Sequence, residues 1–268
     1  MTAPTAPPRA VGAGRSETDR FPVATEELER VAARVLDAAR KGGASAAEAD
    51  VSQGVGQSVT VRKGEVETIA YNRDKGVSVT VYVGKSRGNA SSADFTDASI
   101  RDTVDKALAI ARYTAEDPCA GLADADRLAR DWPDLDLYHP WELSVEEAIE
   151  IGRETERSAL AVDRRLVNSD GASVSRGESE FVYANSLGFM GGYRSSRHHI
   201  DASVIGEDAG GMQRDFWYSA ARSPRDLDSG AAVGRSAGER TSRRLGARPV
   251  ATNECPVLFE APEAVDLI

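Results

Sequence analysis

Cysteine is almost absent: Cys119 and Cys255 are the only two among 268 residues, too few for a disulfide framework and fitting a reducing cytoplasm. Histidine is hardly commoner, with His139, His198 and His199 alone. No apolar run approaches the roughly 18 residues that a membrane span needs. The longest, around Val77–Val83, is interrupted by Ser78 and Thr80, so no membrane association is expected. Positive charge is in deficit, 33 Lys and Arg against 43 Asp and Glu for a net charge of −10. A field of that sign repels phosphate backbones and disfavours broad nucleic-acid binding. The first 22 residues hold Pro4, Pro7, Pro8 and Pro22 but no apolar core of secretory length, and read as a disordered tail. What remains, at 41% hydrophobic and 28% charged, is the composition of a globular protein.

Hydrophobic periodicity divides the remainder into two α+β units. Thr25 is placed to cap a helix whose apolar stripe runs Leu28, Val31, Ala32, Val35, Leu36 and Ala39, with Gly42-Gly43 as its stop. Short alternating runs at 49–51, 58–61, 66–69 and 76–83, and a polar run at 89–95, predict an antiparallel meander of four or five strands. Asp97 is placed to cap a second helix that covers the sheet, completing a unit over residues 23–113. Residues 114–143 form an acidic connector in which Pro118, Pro133 and Pro140 block regular structure. Ser144 with Glu147 makes a capping box that opens the second unit, 144–226, a helix followed by a second antiparallel sheet. Residues 227–268 read as an Arg-rich helix and an apolar strand, Cys255–Glu260, that begin an incomplete C-terminal domain. The apolar stretch after Pro262, without a partner, suggests a truncated chain.

Catalytic motifs are few. Gly84-Lys85-Ser86-Arg87-Gly88 spells a Gly-x-Ser-x-Gly nucleophile elbow after a strand. The elbow needs a helix at once, whereas residues 89–93 have the alternation of a returning strand. A serine hydrolase using Ser86 is therefore the weakest functional reading. A phosphate loop around the same Gly-Lys-Ser is excluded by Val79 where a glycine is required. His198 and His199 fall in one strand, where neighbours point to opposite faces and do not clasp one ion. Both cysteines are expected to be buried and inert. Phe216-Trp217-Tyr218 offers aromatic contacts to a ligand or packs the core. The Arg235–Arg248 arginines suit a partner surface or the acidic connector equally.

A resemblance adds more. Arg62–Glu67, Ser91–Asp94, Ala109–Thr114 with Asp117–Gly121, Asp134–Pro140, Ala184–Phe189, Gly211–Tyr218, Arg240-Thr241 and Pro256–Phe259 closely resemble, in order, the PmbA (or TldE) branch of the TldD/PmbA metallopeptidase family. The likeness covers about residues 25–268. It implies a subunit of a cytoplasmic heterodimer in which a PmbA-like chain and a TldD-like subunit degrade unfolded or extended peptides, microcin precursors and antitoxins among them. It implies no catalytic or metal residue in this chain, since the family's zinc motif, His-Glu-x-x-x-His with a distant cysteine, belongs to the TldD-like partner. Asn185, Arg214, Asp215, Trp217 and Tyr218 are the candidate peptide- or partner-binding residues. The alternative is a non-enzymatic protein-binding module of the gyrase-modulator type.

Overall fold

In the computed structural model the described residues are 20–131 and 133–267. The expected tail lies outside them as far as residue 19. Arg20 and Phe21 are already packed: Phe21 is buried, and Arg20 pairs with Glu142 and Glu178.

Helix α1 (Thr25–Lys41) leads into two long strands, β1 (Ala46–Arg62) and β2 (Glu65–Val83), and a short one, β3 (Ser86–Ser92), followed by α2 (Asp97–Tyr113). After the connector the pattern recurs: α3 (Val145–Leu160), β4 (Leu166–Asn185), β5 (Met190–Asp208), β6 (Gly211–Ala221) and α4 (Gly230–Arg244). The fold is α+β, as the periodicity implies. The strands of both units, however, join in one antiparallel sheet of order β3-β2-β1-β4-β5-β6, instead of two sheets. Each unit alone would leave its first strand an open edge. Pairing β1 with β4 from Glu48↔Asn185 to Val61↔Ala172 removes both edges and makes the layout nearly symmetric about that pair.

The strands are also fewer and longer than expected, because glycines at 54 and 56 are passed without a break: ladder bonds come from the backbone, and both positions lie on the face away from the helices. Lys63 and Gly64 are the true turn, each with positive φ (54° and 76°). Two expected caps shift by one residue. Thr96, not Asp97, is the N-cap of α2, accepting from the Ser99 N–H. Ala24 is the N-cap of α1 without a side-chain bond, and the Thr25 hydroxyl donates instead to Glu180 at 2.5 Å. The Ser144–Glu147 capping box on α3 forms as expected.

All four long helices cover one face of the sheet. The first core packs α1 and α2, through Leu28, Val31, Val35, Ile100 and Val104, onto Val51, Val77, Val79 and Val81. The second packs α3 and α4 onto Val59, Val61, Val174, Ile200 and Val204. Helix α4 thus completes the second unit. Between the cores runs a polar seam of Gln53, Gln57, Glu178 and Glu180, all buried. Arg20 and Arg194 neutralise its acids, and Tyr138 donates to Glu178 at 2.7 Å.

Residues 247–260 form no strand, against the expectation for Cys255–Glu260. No strand of the described sheet lies beside them to supply ladder bonds, and Leu258 is 96% exposed. A short α5 (Ala261–Ala264) follows. Both cysteines are exposed, not buried, because each sits in irregular chain outside the cores.

Candidate functional site

Among the described residues no helix lies on the second face of the sheet. Its side chains include Ser58, Thr60, Ser173, Ser175, His199, Asp201, Phe216 and Tyr218, small and polar in the middle and aromatic toward β6. Strand alternation writes this two-sidedness directly into the sequence.

At one corner the face opens into a cleft of about 870 Å³ along the outer edge of β5. Strand β6 pairs with β5 only from His198 to Asp208, which leaves Met190–Arg197 beyond its reach. The connector takes over at one point, where the Ser196 N–H donates to the Leu137 carbonyl at 2.9 Å. That N–H therefore points away from β4. With regular pairing from Ala184↔Met190 to Glu178↔Ser196, the N–H and C=O groups of Gly192 and Arg194 point the same way into the cleft. Among the described residues no backbone or side-chain group caps these N–H donors.

The floor is aromatic. Phe181 meets Tyr193 edge-on at 4.6 Å, and Tyr183 meets Phe189 at 5.8 Å. Gly191 and Gly192 leave the edge bare of side chains, and a Cβ at Gly192 would run into the Phe181 carbonyl. Connector residues Pro133–Tyr138 form the opposite wall.

The cleft is acidic. Asp50, Asp134 and Asp136 line it against a single cation, Arg194, whose guanidinium is engaged by Glu180 at 3.1 Å. Asp50 has no side-chain partner among the described residues, and burial, with Glu48 close by, raises its carboxyl above the usual range. Glu48 itself accepts from Tyr82 (2.9 Å) and Tyr183 (2.8 Å). Burial, reinforced by that bond, pushes the Tyr82 phenol up to about 12, so both tyrosines stay protonated donors at neutral pH.

The five residues expected to bind are not brought together. Asn185 ends β4 beside the cleft, buried, where its side-chain oxygen accepts from the Leu187 and Phe189 N–H groups and holds the turn. The others lie on β6, split by alternation. Arg214 and Tyr218 face the open side, Arg214 paired with Asp170 at 2.9 Å and Tyr218 stacked on His199 at 5.4 Å. Asp215 and Trp217 face α4: Arg240 lies over the indole at 4.9 Å while it and Arg244 approach Asp215 at 3.5 and 3.6 Å. Arg240 and Arg244 of the basic helix are thus paired with Asp215 and Glu260, not with the acidic connector. Sequence pattern alone does not single out the cleft's own residues. Their signal was an interrupted alternation, Phe181, Tyr183, Gly191 and Tyr193, on two strands whose pairing no local pattern announces.

Ser86 sits in a strand–turn–strand, with β3 where an elbow needs a helix, and its hydroxyl donates to the Thr114 carbonyl at 2.8 Å. That geometry is not a nucleophile elbow. His198 and His199 do point to opposite faces. His198 is fully buried and donates from Nε2 to the His139 carbonyl at 2.8 Å, while His199 pairs with Asp201. Among the described residues no group of three or more His, Cys, Asp or Glu is placed to hold a metal ion. No helix among them is long and apolar enough to cross a membrane.

Residues 47–111 match the PmbA/TldA metallopeptidase domain 1, and residues 138–245 the PmbA/TldA metallopeptidase central domain. The chain is 42% identical over 240 residues to the metalloprotease PmbA of Escherichia coli O157:H7, covering 90% of this chain and 53% of that one. It is 37% identical over 243 residues to the PmbA homolog of Haemophilus influenzae, covering 91% and 54%. The crystal structure of a putative modulator of DNA gyrase from Bacteroides thetaiotaomicron superposes with a TM-score of 0.77 at 26% identity, over 84% of this chain and 52% of that one. The chain thus spans about half the length of the curated relatives it matches. With both family domains matched in order and such identity along nine tenths of its length, the chain belongs to the PmbA branch of the TldD/PmbA metallopeptidase family.

Proposed function

We propose that this chain is the polypeptide-handling, non-metal subunit of a cytoplasmic metalloprotease pair. A TldD-like partner would hold the zinc and carry out hydrolysis of unfolded or extended peptides. The observation that carries the reading is the sheet face on which no helix lies among the described residues, together with the stretch of β5 edge that β6 does not reach. An unfolded chain offers unpaired N–H and C=O groups at every residue, and a sheet edge binds those without demanding a sequence. Such a subunit needs no titratable catalytic group of its own, because a metal held by the partner would supply the Lewis acid.

Co-expression with a TldD-like protein tests this. The two should co-purify and cleave an unstructured polypeptide, a chelator should stop cleavage, and Ser86→Ala should leave it unchanged. Stoichiometric zinc and peptide cleavage by the isolated chain would overturn the proposal. A second reading, a protein-binding module without proteolytic function, draws on the superposition with a protein described as a putative modulator of DNA gyrase. It predicts a stable complex with a folded protein and no cleavage with any TldD-like partner.

A further inference from the structure

We propose that the cleft beside β5 is a subsite for an extended, basic polypeptide segment that adds to Gly192 and Arg194 as a further strand. The inference rests on the polypeptide-handling reading above, but it requires no metal-bearing partner.

Main-chain geometry supplies the first argument. Outward N–H and C=O groups recur at every second residue of a strand, about 6.8 Å apart, and Gly192 and Arg194 present two such positions in succession. A single added strand meets both at once. The neighbouring edge is occupied in the same way by this chain itself, where the Leu137 carbonyl accepts from Ser196. The cleft begins where that contact ends.

Side-chain room supplies the second. Gly191 and Gly192 put nothing in the path of an incoming backbone. Successive side chains of an added strand point alternately to the two sides of the sheet. On the open side they would meet Tyr193 and Phe181, and on the helix side the Tyr138 ring, itself 6.0 Å from the Arg194 guanidinium. Apolar groups fit both.

Charge selects the occupant. Asp50, Asp134 and Asp136 outnumber Arg194, which Glu180 already neutralises, so the cleft presents an excess of negative potential. Partial burial and the neighbouring Glu48 raise the pKa of the unpartnered Asp50 carboxyl, a penalty on its charged form that a bound cation would relieve. Lys and Arg side chains complement this rim, whereas an acidic segment is repelled.

The test uses the 268-residue chain and a fluorescein-labelled heptapeptide, Ala-Val-Lys-Phe-Lys-Val-Ala, read by anisotropy at low salt. Binding should weaken about tenfold or more when alternate peptide nitrogens are methylated in the hydrogen-bonding register, and much less in the other register. Replacing both lysines by glutamates should weaken it by about tenfold, and the double variant Asp50→Asn/Asp134→Asn should shrink that preference to about threefold or less. Asp134 is exposed and Asp50 keeps solvent contact while its carboxyl lies against the sheet face, and circular dichroism checks that the variant keeps its fold. Absence of binding, indifference to N-methylation, or an unchanged preference in the double variant would each overturn the inference. If the heptapeptide binds as expected but no TldD-like pairing cleaves peptides, the function proposed above falls and this subsite stands. If the pair cleaves while the isolated chain ignores the heptapeptide, only the subsite falls.

Discussion

The two units share one plan, a helix, three strands and a helix, but they close their helix layers differently. In the first, α1 and α2 fill the space over the sheet with branched and long side chains, Leu28, Val31, Val35, Ile100, Val104 and Leu108. Close backbone approach is limited there to Gly88 of β3 beneath the Ala107 carbonyl of α2. In the second, α4 lays Gly230, Gly234 and Gly238, one per turn, directly on α3. A Cβ at Gly234 would fall on the Thr155 carbonyl and one at Gly238 on that of Ala159. The lesson is that one architecture tolerates two chemistries of closure. Side-chain burial stabilises the first unit, and the second trades apolar volume for short helix–helix distance, at the entropic cost of glycine inside a helix.

This contrast can be broken most sharply at Gly234. Gly234→Leu should separate α4 from α3 and destabilise the protein by more than about 4 kcal/mol, read as loss of the cooperative urea transition. Leu28→Ala should cost about 2–5 kcal/mol by leaving a cavity under α1, with the second unit's helices intact by circular dichroism. Survival of Gly234→Leu with native stability would show that the glycine stripe is incidental.

A tie between the units sharpens the picture further. Glu156 of α3 is buried, and its carboxylate accepts from the N–H groups of Lys63 and Gly64 in the β1–β2 turn at 2.8 and 2.7 Å. Glu156→Ala leaves that turn without its charged acceptor and should cost about 2–3 kcal/mol in a single transition for both units. Two resolved transitions would mean that β1–β4 pairing alone couples them.

The caps differ in the same sense. Ser144→Ala should remove about 1 kcal/mol from α3, and Ala24→Ser should add somewhat less to α1, whose N-cap lacks a side-chain bond. Equilibrium unfolding measures both.

Only the second unit and the connector contain histidine, so the two units should differ in pH response. Burial lowers the pKa of His198 below its ordinary 6.5, and its Nδ1 has no partner to receive a second proton. A lowered folded-state value means that the unfolded chain binds the proton more readily. Stability is therefore full above about pH 6.5 and declines as the pH falls toward the folded-state value. His198→Gln should flatten that decline, as followed by melting temperature against pH.

Much of this was legible in the residues. Apolar stripes gave all four long helices, and the capping box gave the start of α3 within a residue. The strands were harder. Gln53 and Gln57 stand at inward positions of β1, where a valine would have shown the strand to be continuous, and Gly54 and Gly56 between them look like a break. The inward glutamines exist because Glu180 and Arg176 come from β4 to meet them at 2.8 and 3.3 Å. No window of neighbouring residues contains both partners. The cleft was hidden for the same reason, since its floor comes from β4 and β5 and its wall from the connector.

By itself the amino-acid order determined the elements, the repeated unit of helices and strands, the acidic balance and the family, because each depends on residues close in sequence or on motifs read one at a time. Only the tertiary structure decided that β1 and β4 join two sheets into one, that Arg20 and Phe21 seal a polar seam, and that β5 keeps an open edge in an acidic aromatic cleft. The first two outcomes depend on pairings between residues more than a hundred positions apart and the third on the connector meeting β5 at Leu137 and Ser196, contacts whose free energy exists only once both partners are in place.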